Sequence, residues 1–200
     1  DHVGLFSQLK NAIVENVNII ADEIKGHEAV GGLAGSAESS SIYNCSVEGD
    51  VYSDAKYAGL LLGKSVTSEI SHSHTKGSVF GNAAIAGLIG QVGRGSKVTT
   101  SSARVQVFSK DAGGTSVGGF VGYLNDSTIE SSFSTGNVRS EGDSVGGFVG
   151  VVSDKGQIRE SFSTGNVSGN ERVGAFAGSL KENNNGSEST IENSYTIGNI

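Results

Sequence analysis

The chain has 200 residues with 31 Gly, no Pro, Met or Trp, and a net charge of −7. Glycine this abundant without a triplet period or proline excludes collagen, and Val, Ile, Leu and Phe spread along the whole chain exclude disorder. Basic residues never cluster, so nucleic acid and anionic membrane are not expected partners, and no apolar run approaches the length of a membrane span. Cys45 is the sole cysteine, so no internal disulfide can staple the fold.

Taken in chain order, one Gly-rich apolar motif recurs. A degenerate copy at 4–7 (GLFS) is followed by 30–35 (VGGLAG), 58–63 (AGLLLG) and 85–90 (IAGLIG). Then come 117–122 and 145–150 (both VGGFVG) and 173–178 (VGAFAG). The closing small residues fall at 7, 35, 63, 90, 122, 150 and 178, with spacings of 28, 28, 27, 32, 28 and 28. The long interval places an insertion near Lys110 to Thr115. A second motif follows each copy. It is clearest at 129–138 (IESSFSTGNV), 158–167 and 191–200, weaker at 42–51, 70–79 and 98–107, and loosest in the region from Ile13. Each unit therefore reads as a Gly-rich strand, a turn, a longer strand and a variable polar loop.

Side chains alternate faces along a strand. In the second motif one set of columns is small or apolar throughout: Cys45, Ser73, Ser101, Ser132, Ser161, Ser194; then Val47, Thr75, Ala103, Ser134, Ser163, Thr196; then Val51, Val79, Val107, Val138, Val167, Ile200. This set is expected to face inward. The alternate set mixes Glu48, Lys76, Arg104, Thr135 and Thr164 in one column, so that face must meet water. Leu33, Leu61, Leu88, Phe120, Phe148 and Phe176 form a core column, while Ala34, Leu62, Ile89, Val121 and Val149 are expected on the other face of the same strand, partly covered.

Units of about 28 residues with two or three short strands predict an all-β fold, a right-handed parallel β-helix or β-solenoid of about seven coils. The coils lie near 1–26, 27–54, 55–81, 82–113, 114–141, 142–169 and 170–200, within a single domain. Helices are disfavoured, because Gly at these positions would cost about 1 kcal/mol each.

The strings VGGFVG and STIESSFSTGNV resemble the GLUG-motif repeat, whose core reads roughly VGGLVG and then NSYATGNVSG. The resemblance is closest over 117–178, extends to 191–200, is looser over 27–107 and weakest over 1–26. It implies a bacterial cell-surface or secreted protein, either adhesin-like or the non-catalytic repeat region of an immunoglobulin-A-protease-type zinc metallopeptidase. The repeat carries no catalytic residues of its own. The chain begins at Asp1 rather than Met, so flanking domains of a larger chain are expected.

Candidate chemistry is sparse. His27-Glu28 begins like the zinc-protease motif H-E-x-x-H, but Gly31 stands where the second His is needed. His72 and His74, read on one strand, share a face and could supply two metal ligands, with no third evident. Cys45 falls in the small inward column and reads as structural. The loop acids Asp54, Asp111, Asp126, Asp143, Asp154 and Glu171 show no calcium-loop spacing. No catalytic residue, metal or cofactor is expected. The feature that points to function is an outward aromatic column, Phe133, Phe162 and Tyr195, continued by Ser102 and His74. It predicts either a stabilising stack or an interaction surface. The expected function is a non-catalytic extracellular module, a rigid spacer or a docking surface for a host protein or glycan. A substrate-recognition role in a protease and a β-helix polysaccharide-active enzyme are the alternatives.

Overall fold

The computed structural model describes residues 1–110, 115–181 and 188–200. The insertion expected near Lys110 to Thr115 and the acid Asp111 lie, apart from the insertion's ends, outside the described residues. The described chain contains strands, turns and bends and no helix, and every strand pairing is parallel. Seven levels stack in each of four sheets, joined by six coil-to-coil steps, which span about 29 Å along the axis. The fold is a parallel β-solenoid.

Each coil crosses four sheets, with four strands in most coils and five in coils five and six, rather than two or three. In coil five, Thr115–Gly118 lies in sheet 1, Val121–Asn125 in sheet 2 and Thr128–Glu130 in sheet 3. Phe133–Ser134 and Val138–Ser140 share sheet 4, where coils two to four each run one unbroken strand such as His74–Gly81. The Gly-rich motif is therefore a corner between sheets 1 and 2 and not one strand. The chain bends at Gly119-Phe120. A Cβ at Gly119 would strike the Gly147 carbonyl oxygen of the next coil, so the close approach requires glycine there. Because the backbone turns, Phe120 and Val121 are both fully buried, as are Leu61 with Leu62 and Leu88 with Ile89. The expectation of partial cover for the Val121 column is corrected by this bend.

Parity holds in sheet 4. Val47, Thr75, Ala103, Ser134 and Ser163 are buried, and Val51, Val79, Val107, Val138 and Val167 likewise. Glu48, Lys76, Arg104, Thr135 and Thr164 are exposed. Stacked rings run through the core: Phe120 and Phe148 lie 4.7 Å apart with planes at 6°, and Phe148 and Phe176 lie 5.0 Å apart.

The small inward column does more than fill space. The turn from sheet 3 into sheet 4 is made at one position per coil in the left-handed region: Asn16, Asn44, His72, Thr100, Ser131, Glu160 and Asn193, with φ between 48° and 58°. Asn tolerates this conformation best among non-glycine residues, because its short polar side chain bonds locally. From coil two onward the next residue is Cys45, Ser73, Ser101, Ser132, Ser161 or Ser194, with Val17 in coil one. Each serine hydroxyl donates to the carbonyl two residues back, as Ser132 does to Glu130 at 2.9 Å. It also accepts the backbone N–H of the equivalent residue in the preceding coil, as Ser132 does from Ser101 at 3.2 Å and Ser161 from Ser132 at 3.3 Å. A second hydroxyl ladder at the corner between sheets 2 and 3 links Ser40, Ser68, Ser96 and Ser127 in the same way. These hydroxyls satisfy buried amides that the bent backbone cannot pair. A third set spans the core: Thr75, Ser134 and Ser163 donate to the carbonyls of Gly87, Gly147 and Ala175.

Candidate interaction face

Sheet 4 displays its outward columns to water, and the candidate residues sit on its first position in each coil. Phe133, Phe162 and Tyr195 stack as expected, with centroids 4.9 and 5.1 Å apart and planes within 6°. Phe133 and Phe162 are half-buried, while Tyr195 is 55% exposed. Arg104 lies over the free face of Phe133, 6.0 Å from its centroid. Below it the column continues into Ser102 and His74, whose hydroxyl and Nδ1 are 2.9 Å apart. His74 is held below its ordinary pKa of 6.5, first by partial burial, then by the charge of Arg104 and lastly by His72.

Carrying the parity count one residue past Val51, Val79 and Val107 reaches a second aromatic column that the sequence reading overlooked. Tyr52 and Phe80 lie 4.6 Å apart with planes at 7°, and Phe80 and Phe108 lie 5.2 Å apart at 14°. Lys25 covers the outer face of Tyr52 at 5.5 Å, and Arg139 follows Phe108 in the column. This stack lines an open groove of about 630 Å³ together with Gly26, Ser53, Asn82 and Lys110. A smaller groove of about 380 Å³ runs beside His74, Lys76, Ser102, Arg104 and Phe133.

The two histidines do not share a face. His72 occupies the left-handed corner position and tilts against Tyr43, while His74 opens the sheet 4 strand, so the paired-ligand geometry is absent. His27 pairs with Asp54 at 2.5 Å in the open, ahead of Ala29–Val30. Cys45 is buried, its thiol pushed up by desolvation, and its sulfur contacts the Tyr43 carbonyl at 3.4 Å. Asp126 and Asp154 occupy left-handed turn positions one coil apart, and Asp154 accepts from the Asn125 amide. Among the described residues no three His, Cys, Asp or Glu side chains converge as a metal site would need.

The family model for the GLUG motif matches residues 26–52 and 113–139, each about one coil. No curated protein matches the sequence. Among solved structures, a chain described as "IgA1 Protease" superimposes with a TM-score of 0.73 at 21% identity, covering 94% of this chain and 16% of that one. At that identity the likeness is one of fold, and the present chain spans about a sixth of that chain's length. The columns of the two matched coils recur along the seven levels, and the chain carries GLUG-motif repeats on a parallel β-solenoid.

Proposed function

We propose that this solenoid is a non-catalytic module of a secreted or surface-exposed protein, which spaces other regions apart and presents sheet 4 to a partner. The observation that carries the reading is the unbroken stack itself. Seven levels repeat the same columns in register, so the surface is a set of parallel stripes on a rigid frame rather than a cleft around one reactive centre. On coils three to seven of sheet 4 the groups that face solvent are mainly rings, cations, hydroxyls and amides, which suit recognition more than bond cleavage.

A second reading draws on the solved chain of like fold. Its description as IgA1 Protease, and the small share of it that this solenoid covers, favour a spacer or substrate-recognition region of an extracellular zinc metalloprotease. Incubating the chain with immunoglobulin A1 and with polysaccharides tests both readings against the enzyme alternative. The expected result is intact substrates throughout. Turnover that disappears in Asp54→Asn or Asp154→Asn would overturn the non-catalytic assignment.

A further inference from the structure

The outward face of sheet 4 is partitioned by charge along the axis. Coils one and two expose Asp22, Glu23, Glu48 and Asp50 against one cation, Lys25. The outward residues of the strands in coils three to five include Lys76, Arg104 and Arg139 and no acid. Coils six and seven offer only Phe162, Thr164, Asn166, Ser168, Tyr195, Ile197 and Asn199. A chain of net charge −7 thus carries a cationic band three coils deep. Lys76 is matched by Glu48 at 2.6 Å, and Glu141 lies just past the strand end that bears Arg139. Arg104 and Arg139 form no ion pair among the described residues.

The band also holds Phe80, Phe108 and Phe133, and the way their rings are used discriminates between partner classes. A sugar ring needs an open aromatic face. Here most faces are spent on one another and on cations: Lys25 on Tyr52, Arg104 on Phe133, and ring upon ring from Tyr52 to Phe108 and from Phe133 to Phe162, with the last face of Phe108 turned toward the Arg139 position. What remains toward solvent are ring edges, the positive rim of the quadrupole, which suit apolar side chains and carboxylate oxygens. A guanidinium fork takes a carboxylate through two parallel hydrogen bonds.

We propose that coils three to five of sheet 4 bind an acidic polypeptide segment, with Arg104 and Arg139 each taking a carboxylate and the ring edges that flank them, Phe133 on the Arg104 side and Phe108 and Phe80 on the Arg139 side, taking apolar side chains outside the acidic pair. Arg104 and Arg139 are four strand positions and one coil apart, about 14 Å, which an extended segment spans in about four residues. Acidic side chains at that interval are the recognised pattern. The inference rests on the reading of the chain as a non-catalytic presenting module.

The test is fluorescence anisotropy at low ionic strength with a fluorescein-labelled peptide carrying glutamates about four residues apart and leucines flanking the pair on either side. The same peptide with lysines in place of glutamates, and polygalacturonate as an acidic polysaccharide, serve as comparison probes. Saturable binding of the acidic peptide alone is expected, weakening with salt and falling about tenfold in Arg104→Gln with Arg139→Gln. Arg104→Lys with Arg139→Lys keeps the charge and loses the fork, so an intermediate loss is expected. Thr164→Ala on coil six is expected to leave affinity unchanged. Circular-dichroism melts establish that the variants are folded. Absent binding, binding indifferent to the two arginines, or capture of polygalacturonate in preference to the peptide would overturn the proposal. Cleavage of the bound peptide would instead overturn the functional reading beneath it, so the two failures are distinct.

Discussion

Two aromatic stacks run side by side through coils five to seven, one inside the solenoid and one outside. Phe120, Phe148 and Phe176 are spaced 4.7 and 5.0 Å apart, and Phe133, Phe162 and Tyr195 are spaced 4.9 and 5.1 Å apart. Their geometry is nearly the same although Phe148 has no solvent exposure and Tyr195 has 55%. Ring spacing is therefore dictated by the rung distance of the parallel sheets and not by the surroundings of the rings. What the surroundings dictate is energy: a fully buried ring removes its whole apolar area from water, whereas a ring at the surface gains the stacking contact and part of that area.

The comparison is broken most sharply by truncating one ring of each kind. Phe148→Ala empties a closed site between two other rings and is expected to destabilise the chain by about 3–5 kcal/mol, read in chemical denaturation. If it costs no more than an outer ring, the inner stack is not the core. Next in size is Ser132→Ala, one residue before Phe133. It orphans the Ser101 amide and removes the bond to the Glu130 carbonyl, for an expected loss of about 1–3 kcal/mol. An effect near zero would mean that the hydroxyl ladder is incidental to stability. Phe133→Ala combined with Phe162→Ala is expected to leave the circular-dichroism spectrum unchanged and to cost about 1 kcal/mol for the lost stacking, plus part of the half-buried area. Unfolding of that variant would show the outer rings to be core after all.

The smallest effect concerns pH at the foot of the outer stack. His74 has a depressed folded pKa, so as pH falls through the ordinary histidine range near 6.5 the unfolded chain takes up its proton first. The stability associated with neutral His74 is present above that range and is lost as pH falls through the folded value. Thermal melts at pH 7.5 and pH 5 are expected to differ less in His74→Gln than in the unsubstituted chain. An unchanged difference would remove His74 from the account.

Much of this was legible in the sequence because parallel coils in register lay each residue on its own equivalent, so columns of type reveal faces. Glu48, Lys76 and Arg104 in one column had to be outside, and Val51, Val79 and Val107 in another had to be inside. The corner at Gly119-Phe120 was not legible, since a count of two assumes a straight strand and fails where the backbone turns between two inward residues. The serine column was read only as small. Its hydrogen bonds run between coils, where no local pattern records them. The stripe of Tyr52, Phe80 and Phe108 obeyed the same parity as Phe133 and needed only a longer count. The histidines at 72 and 74 were misplaced because the left-handed residue at the corner interrupts the alternation.

The hydroxyl ladders give the stack a direction. Each serine gives its proton within its own coil and receives one from the coil before, so every coil added on the C-terminal side completes the amide pairing of its predecessor. Gain or loss of whole repeats leaves that relay intact, whereas a repeat arriving with alanine at the serine position would leave one amide stranded at its boundary. Array length can thus change without cost to the relay, while this one inward position calls for a small side chain that both donates and accepts, serine in five coils and the thiol of Cys45 in one.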